Sequence, residues 1–153
     1  MTKRHKHKRT EGDFVRVDLG DGSHVYGRVL PEATFAFYDS HTTDDLPIEE
    51  IARREVLFQV AVMDHAVKSG RWPIVGHLPL ETKFRKNIPR FMQDALQPEQ
   101  FSIYDNGEIR PSTRLECVGL ERAAVWEPSH VEDRLQDYYA GRPNKWVESL
   151  RMK

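Results

Sequence analysis

The chain has 153 residues, a formal net charge of −1 and one cysteine. That length supports a buried core without metals or cross-links, and a lone cysteine excludes a disulfide framework. No apolar run approaches the roughly 18 residues of a membrane-spanning helix, and the basic start lacks the apolar stretch of a secretory signal, so a cytoplasmic protein is expected.

The near-neutral balance hides an asymmetry. "KRHKHKR" (Lys3 to Arg9) holds five Lys/Arg, two His and no acid, which leaves residues 10–153 at −6. This pattern marks residues 1–11 as a flexible basic arm ahead of a single domain, 12–153. Such an arm can touch phosphates, but it has no interleaved aromatic or glycine for stacking on bases; it reads as a solubilising tail, with nucleic acid not expected as a partner. His5 and His7 are two flexible ligands without companions, a poor metal site.

In chain order, "GDFVRVDLGDGSHVYGRVL" predicts a hairpin. Phe14, Val15 and Val17 lie on its first strand, Gly20-Asp21-Gly22-Ser23 form the turn, and Val25, Tyr26, Val29 and Leu30 lie on the return. Gly27 inside the second strand signals a bulge or a close backbone approach. "ATFAFYDS" is a third strand, with Phe35 and Phe37 on one face and Ala36 and Tyr38 on the other. "DDLPIEEIARRE" predicts a short helix with Pro47, Glu49 and Glu50 in its first turn. "VLFQVAVM" alternates as a strand, "DHAVKSG" is a brief helical turn, and "RWPIVGHLPL" is a strand that Pro73 and Pro79 restrict to an edge or an irregular path. Residues 81–100 carry no clear period. "FSIYDNGEIR" predicts a second hairpin turning at Asn106-Gly107, and "LERAAVW" a further strand. In "EPSHVEDRLQDYYAG", Ser129 and Glu132 have the spacing of a capping box, and Val131, Leu135, Tyr138 and Tyr139 form a helical stripe. Gly141 ends that helix and Pro143 redirects the chain, which predicts that Trp146 folds back as a clamp on the core. The expected fold is α+β: one curved, barrel-like antiparallel sheet with a short central helix and a C-terminal helix.

"GDFVRVDLGDGSHVYGRV", "PIEEI", "VLFQVAVMDHAVKSGRWPIVGHLPL" and "ECVGLERAAVWEPSHVEDRLQDYYAGRPNKW" together resemble the immunity protein 26 family of bacterial polymorphic toxin systems. The resemblance covers roughly residues 12–150. It implies a small cytoplasmic protein that binds and inhibits a cognate toxin domain without catalysis. Some relatives carry a phosphotriesterase label, so a small hydrolase is one alternative; a nucleic-acid or regulatory module using the basic arm is another.

The residues argue against the hydrolase. Metal-dependent phosphotriesterases build a two-metal site on a barrel of about 250 residues. Here the only His-x-His lies in the arm, and His24, His41, His65, His77 and His130 never fall at paired ligand spacing. His24 at a hairpin turn and His130 at a helix start read as solvated. Asp39, Ser40 and His41 are consecutive on a strand, where neighbours point to opposite faces, so they form no relay. Cys117 has no basic or helix-N-terminal setting that would activate it. No catalytic residue, metal or cofactor is expected.

For binding, Phe14, Phe35, Phe37, Phe58, Trp72 and Trp126 read as core, with Trp72 and Trp126 as pillars. The acids fall in three groups: Asp44, Asp45, Glu49 and Glu50; Asp105 and Glu108; Glu132, Asp133 and Asp137. Their summed field suits a basic toxin such as a nuclease. The first group, with Tyr138 and Arg142, is the expected partner surface.

Overall fold

The computed structural model describes residues 8–153. Most of the basic arm therefore lies outside the described residues. In chain order the elements are β1 (Asp13–Asp18), β2 (His24–Val29), β3 (Thr34–Tyr38), α1 (Ile48–Ile51), β4 (Val56–Val62), α2 (His65–Lys68), β5 (Ile74–His77) and α3 (Thr82–Arg85). They continue with β6 (Arg90–Gln93), β7 (Phe101–Asp105), β8 (Glu108–Ser112), α4 (Arg114–Cys117), β9 (Val125–Trp126), α5 (Pro128–Ala140) and α6 (Lys145–Ser149). The fold is α+β, and its main sheet is curved without closing into a barrel.

The chain forms two compact units, residues 1–85 with 125–144, and residues 86–124 with 145–153. The first holds a six-stranded sheet in the order β5-β1-β2-β3-β4-β9. Its pairings are antiparallel except the short parallel pairing of β9 on β4. Gly20 and Gly22 turn the first hairpin at positive φ, and β5 is an edge strand as its flanking prolines require. Gly27 is a point of close approach: a Cβ there would stand 3.2 Å from both Phe37 and Val15.

Both faces of this sheet are covered. Phe14, Tyr26, Ala36 and Tyr38 pack with Ile51 of α1 and Phe84 of α3. On the other face the Trp72 indole stands edge-on to Phe35 and Phe37, 5.5 Å from each ring. Phe58 is only half-buried, and the Arg134 guanidinium lies 3.7 Å from its ring centre. Val131 and Leu135 of α5 are fully buried, whereas Tyr138 is 55% exposed and leaves the expected stripe.

The start of α5 differs from the sequence expectation. Ser129 is not its cap: Pro128 opens the helix, Glu127 holds the N-cap in extended geometry, and no side chain caps it. A proline at the first helical position forfeits no hydrogen bond, so the helix begins two residues earlier than a Ser129 cap would place it. Glu132 instead leaves the helix end. Its carboxylate accepts from Arg71 Nε at 2.8 Å, Arg71 Nη2 at 2.7 Å and Trp72 Nε1 at 2.9 Å, so it is 14% exposed and holds α5 to the pillar. Gly141, at φ 69°, ends the helix as expected.

At the centre of this unit lies a charged residue on the same strand face as the core residues Tyr26 and Leu30. Arg28 on β2 is fully buried. Its Nε donates to Gly12 O at 2.7 Å, Nη1 to the Tyr38 hydroxyl at 3.2 Å, and Nη2 to Leu78 O at 2.7 Å and Pro79 O at 3.1 Å. Glu81 supplies the counter-charge at 3.2 Å, and the guanidinium lies 4.1 Å from the centre of the Phe14 ring.

In the second unit β6-β7-β8 form an antiparallel sheet, with Asn106 and Gly107 both at positive φ in its hairpin turn. Phe91, Phe101, Ile103 and Cys117 make its core. Trp146 sits on α6 half-buried, with the Lys145 ammonium 4.6 Å from its ring centre.

Replacing Arg28 by Met removes the donor to four oxygens and leaves Glu81 unpaired. The expected cost is about 3–5 kcal/mol, visible as a lower midpoint in urea. Arg28→Lys recovers only part of it, because an ammonium cannot reproduce the planar fork. An Arg28→Met protein as stable as the parent contradicts this role.

Candidate functional site

The site grows from the β1–β2 turn. Asp21 sits at its tip, and its Oδ1 accepts from the Ser23 backbone N–H at 2.9 Å and the Ser23 hydroxyl at 2.5 Å. These bonds, the side-chain one foremost, hold the Asp21 carboxyl below its ordinary range. The Ser23 proton is thereby committed, so the His41 Nε2 found 2.8 Å from its oxygen must be the donor in that contact. His41 is stacked on Tyr139 of α5, with ring centroids 4.5 Å apart and 23° between planes. The Tyr139 hydroxyl donates to Asp39 Oδ1 at 2.8 Å; burial first, then that hydrogen bond, pushes its pKa well up, so it stays a neutral donor. The Gln136 amide closes the assembly by donating to Leu19 O.

Between these groups lies an open groove of about 630 Å³, lined by Leu19, Gly20, Asp21, His41, Gln136, Tyr139, Ala140 and Arg142. A smaller cavity of about 380 Å³ in the same unit has Arg53, Arg54 and Lys83 among its lining residues.

The acidic loop beside the groove is held from β2. His24 corrects its sequence reading: it is 6% exposed, and its Nε2 donates to Asp44 O at 2.9 Å. The Tyr26 hydroxyl accepts from Leu46 N–H at 3.1 Å, and Thr42 Oγ1 accepts from Asp44 N–H at 3.0 Å. Asp44, Asp45 and Glu49 are exposed, whereas Glu50 binds Arg54 at 2.9 Å. Tyr138 stands edge-on to Tyr139 at 5.0 Å, and Arg142 lines the groove while pairing with Asp137 at 3.1 Å.

The other acids stand differently. Glu132 and Asp137 are partnered and not a solvated face, since Asp137 also accepts from Asn144 at 2.9 Å. Asp105 and Glu108 face each other across the hairpin of the second unit. Asp21, Asp39, Asp44 and Asp45 have no cation paired to them among the described residues.

The family model of immunity protein 26 matches residues 10–102, more than half of the chain. The chain belongs to the immunity protein 26 family. The matched span covers β1 to β5 and extends through β6 into β7, and it includes the Asp21 turn, His41 and the acidic loop. No match is found among curated proteins or solved structures. Among the described residues no helix is long and apolar enough to cross a membrane.

Neither serine beside His41 is set to pass it a proton. Ser40 is buried, its hydroxyl donating to Tyr38 O at 3.1 Å and accepting from Tyr26 N–H at 2.9 Å, so Asp39, Ser40 and His41 form no relay. Ser23 and His41 are adjacent, but the serine proton lies toward Asp21, which leaves His41 no proton to take. Among the described residues no group of three His, Cys, Asp or Glu is placed to hold a metal ion. Purified protein is expected to hydrolyse no organophosphate ester above background, with or without added zinc or manganese. Turnover that is lost on chelation contradicts this.

Proposed function

We propose that this immunity protein neutralises a cognate toxin of a polymorphic toxin system by stoichiometric binding in the cytoplasm. The docking surface in this reading is the face formed by the Asp21 turn, the Asp39–Asp45 segment and the end of α5. One observation carries it: Asp21, Asp39, Asp44 and Asp45 gather there without paired cations, two of them held by side-chain or main-chain bonds to Ser23 and His24. A fixed, unneutralised negative face speeds capture of a positively charged partner and costs little reorganisation on contact. A toxin that cleaves nucleic acid must present a basic surface to phosphates, and an acidic protein lodged there would exclude its substrate. The carboxylates thus point to a basic toxin, with a nuclease as the kind that fits best.

Co-expression with its cognate toxin domain is expected to restore growth, with a 1:1 complex recoverable from the cells. Asp44→Lys with Asp45→Lys should slow association by roughly tenfold at low salt and flatten its salt dependence. Association that stays as fast at low salt removes the acidic loop from the interface.

A further inference from the structure

The groove itself has a chemistry more specific than negative charge. Asp21 Oδ1 is occupied by Ser23, which fixes the carboxylate plane and leaves Oδ2 toward solvent. The His41–Tyr139 stack uses one face of each ring, and Tyr138 stands edge-on to Tyr139 at 5.0 Å, whereas His41, exposed and lining the groove, has no second ring against it among the described residues. Arg142 at the rim is neutralised, its Nε and Nη2 lying 3.2 Å and 3.1 Å from Asp137 Oδ1. A carboxylate of fixed plane beside a flat aromatic wall suits a planar cation, which can donate in its own plane and stack across its face. A guanidinium has that shape; an ammonium is a compact point charge that gains less from either feature. The same unit already uses the combination internally, where the Arg28 guanidinium lies 4.1 Å from the Phe14 ring centre and 3.2 Å from Glu81.

We propose that this groove is a receptor for a single arginine side chain of the toxin, its guanidinium paired with Asp21 and stacked on the His41 ring. The assignment rests on the immunity reading for its partner but not for its chemistry, so the two can be tested apart. N-acetyl-arginine amide, titrated into the isolated protein, is expected to shift the NMR signals of Asp21, His41 and Tyr139 saturably. N-acetyl-lysine amide should bind the same site several-fold more weakly. Asp21→Asn keeps the oxygen that accepts from Ser23 and removes the charge; it should abolish the arginine response in a protein that remains folded, as unchanged signals of β2 and β3 would show. In the complex the same variant should weaken toxin binding by about tenfold or more.

Absence of groove shifts, equal binding of the lysine compound, or an Asp21→Asn protein that holds the toxin as tightly as the parent overturns the proposal. If the parent binds no toxin while the arginine compound still titrates the groove, the immunity reading fails and the arginine site stands.

Discussion

A guanidinium closed off from water organises the first unit. Arg28 cannot be left unserved in a dry interior, since a buried charge without partners costs more than a domain of this size can spare. Its neighbours are therefore constrained: the carbonyls of Gly12, Leu78 and Pro79, the Tyr38 hydroxyl and the Glu81 carboxylate must all converge on one planar fork. That convergence ties β2 at once to the entry of β1, to β3 and to the chain leaving β5. Gly27, next to Arg28 in sequence, lets Phe37 and Val15 close over the other face of the sheet. Strand β2 is consequently buried along its whole length, an unusual fate for a hairpin strand carrying His and Arg.

The candidate site inherits its rigidity from that strand. His24 opens β2 and grips the Asp44 carbonyl, while Tyr26, two residues on, accepts from Leu46, so the acidic loop is fastened to the most deeply held strand of the fold. The turn ahead of β2 presents Asp21, and α5, anchored through Glu132 on Trp72, brings Tyr139 and Gln136 to meet it. Loops that carry recognition groups bind best when a stiff scaffold positions them, and here the scaffold reaches the loop within one or two residues.

Local pattern was enough for the parts of the fold that depend on local chemistry. The Asp-Gly and Asn-Gly turns, the alternation of Phe35 and Phe37 against Ala36 and Tyr38, the edge position of the proline-flanked β5 and the glycine end of α5 all follow from backbone preference and periodicity. What escaped depends on partners distant in the chain. Nothing local in the sequence marks Arg28 as fully buried, because the carbonyls that serve it lie up to about 50 residues away, and Glu132 reads as a cap until Trp72 claims it. The acidic loop and Tyr138 could be named from the sequence as candidates, but the meeting of Asp21 and His41 about one groove could not, because it arises only when α5 crosses the turn of a hairpin more than 100 positions earlier. His24 was misread for the same reason: a turn-proximal histidine looks solvated unless a loop folds over it.

The central claim is that the frame built around Arg28 offers one docking face, and hydrogen–deuterium exchange of the protein with and without its toxin tests it most directly. Protection gained on complex formation should fall in residues 18–23, 39–46 and 136–142, with the amides of β2 expected to exchange slowly in both states. Protection confined to the second unit, in residues 101–118, with exchange at the groove unaltered, would contradict the account.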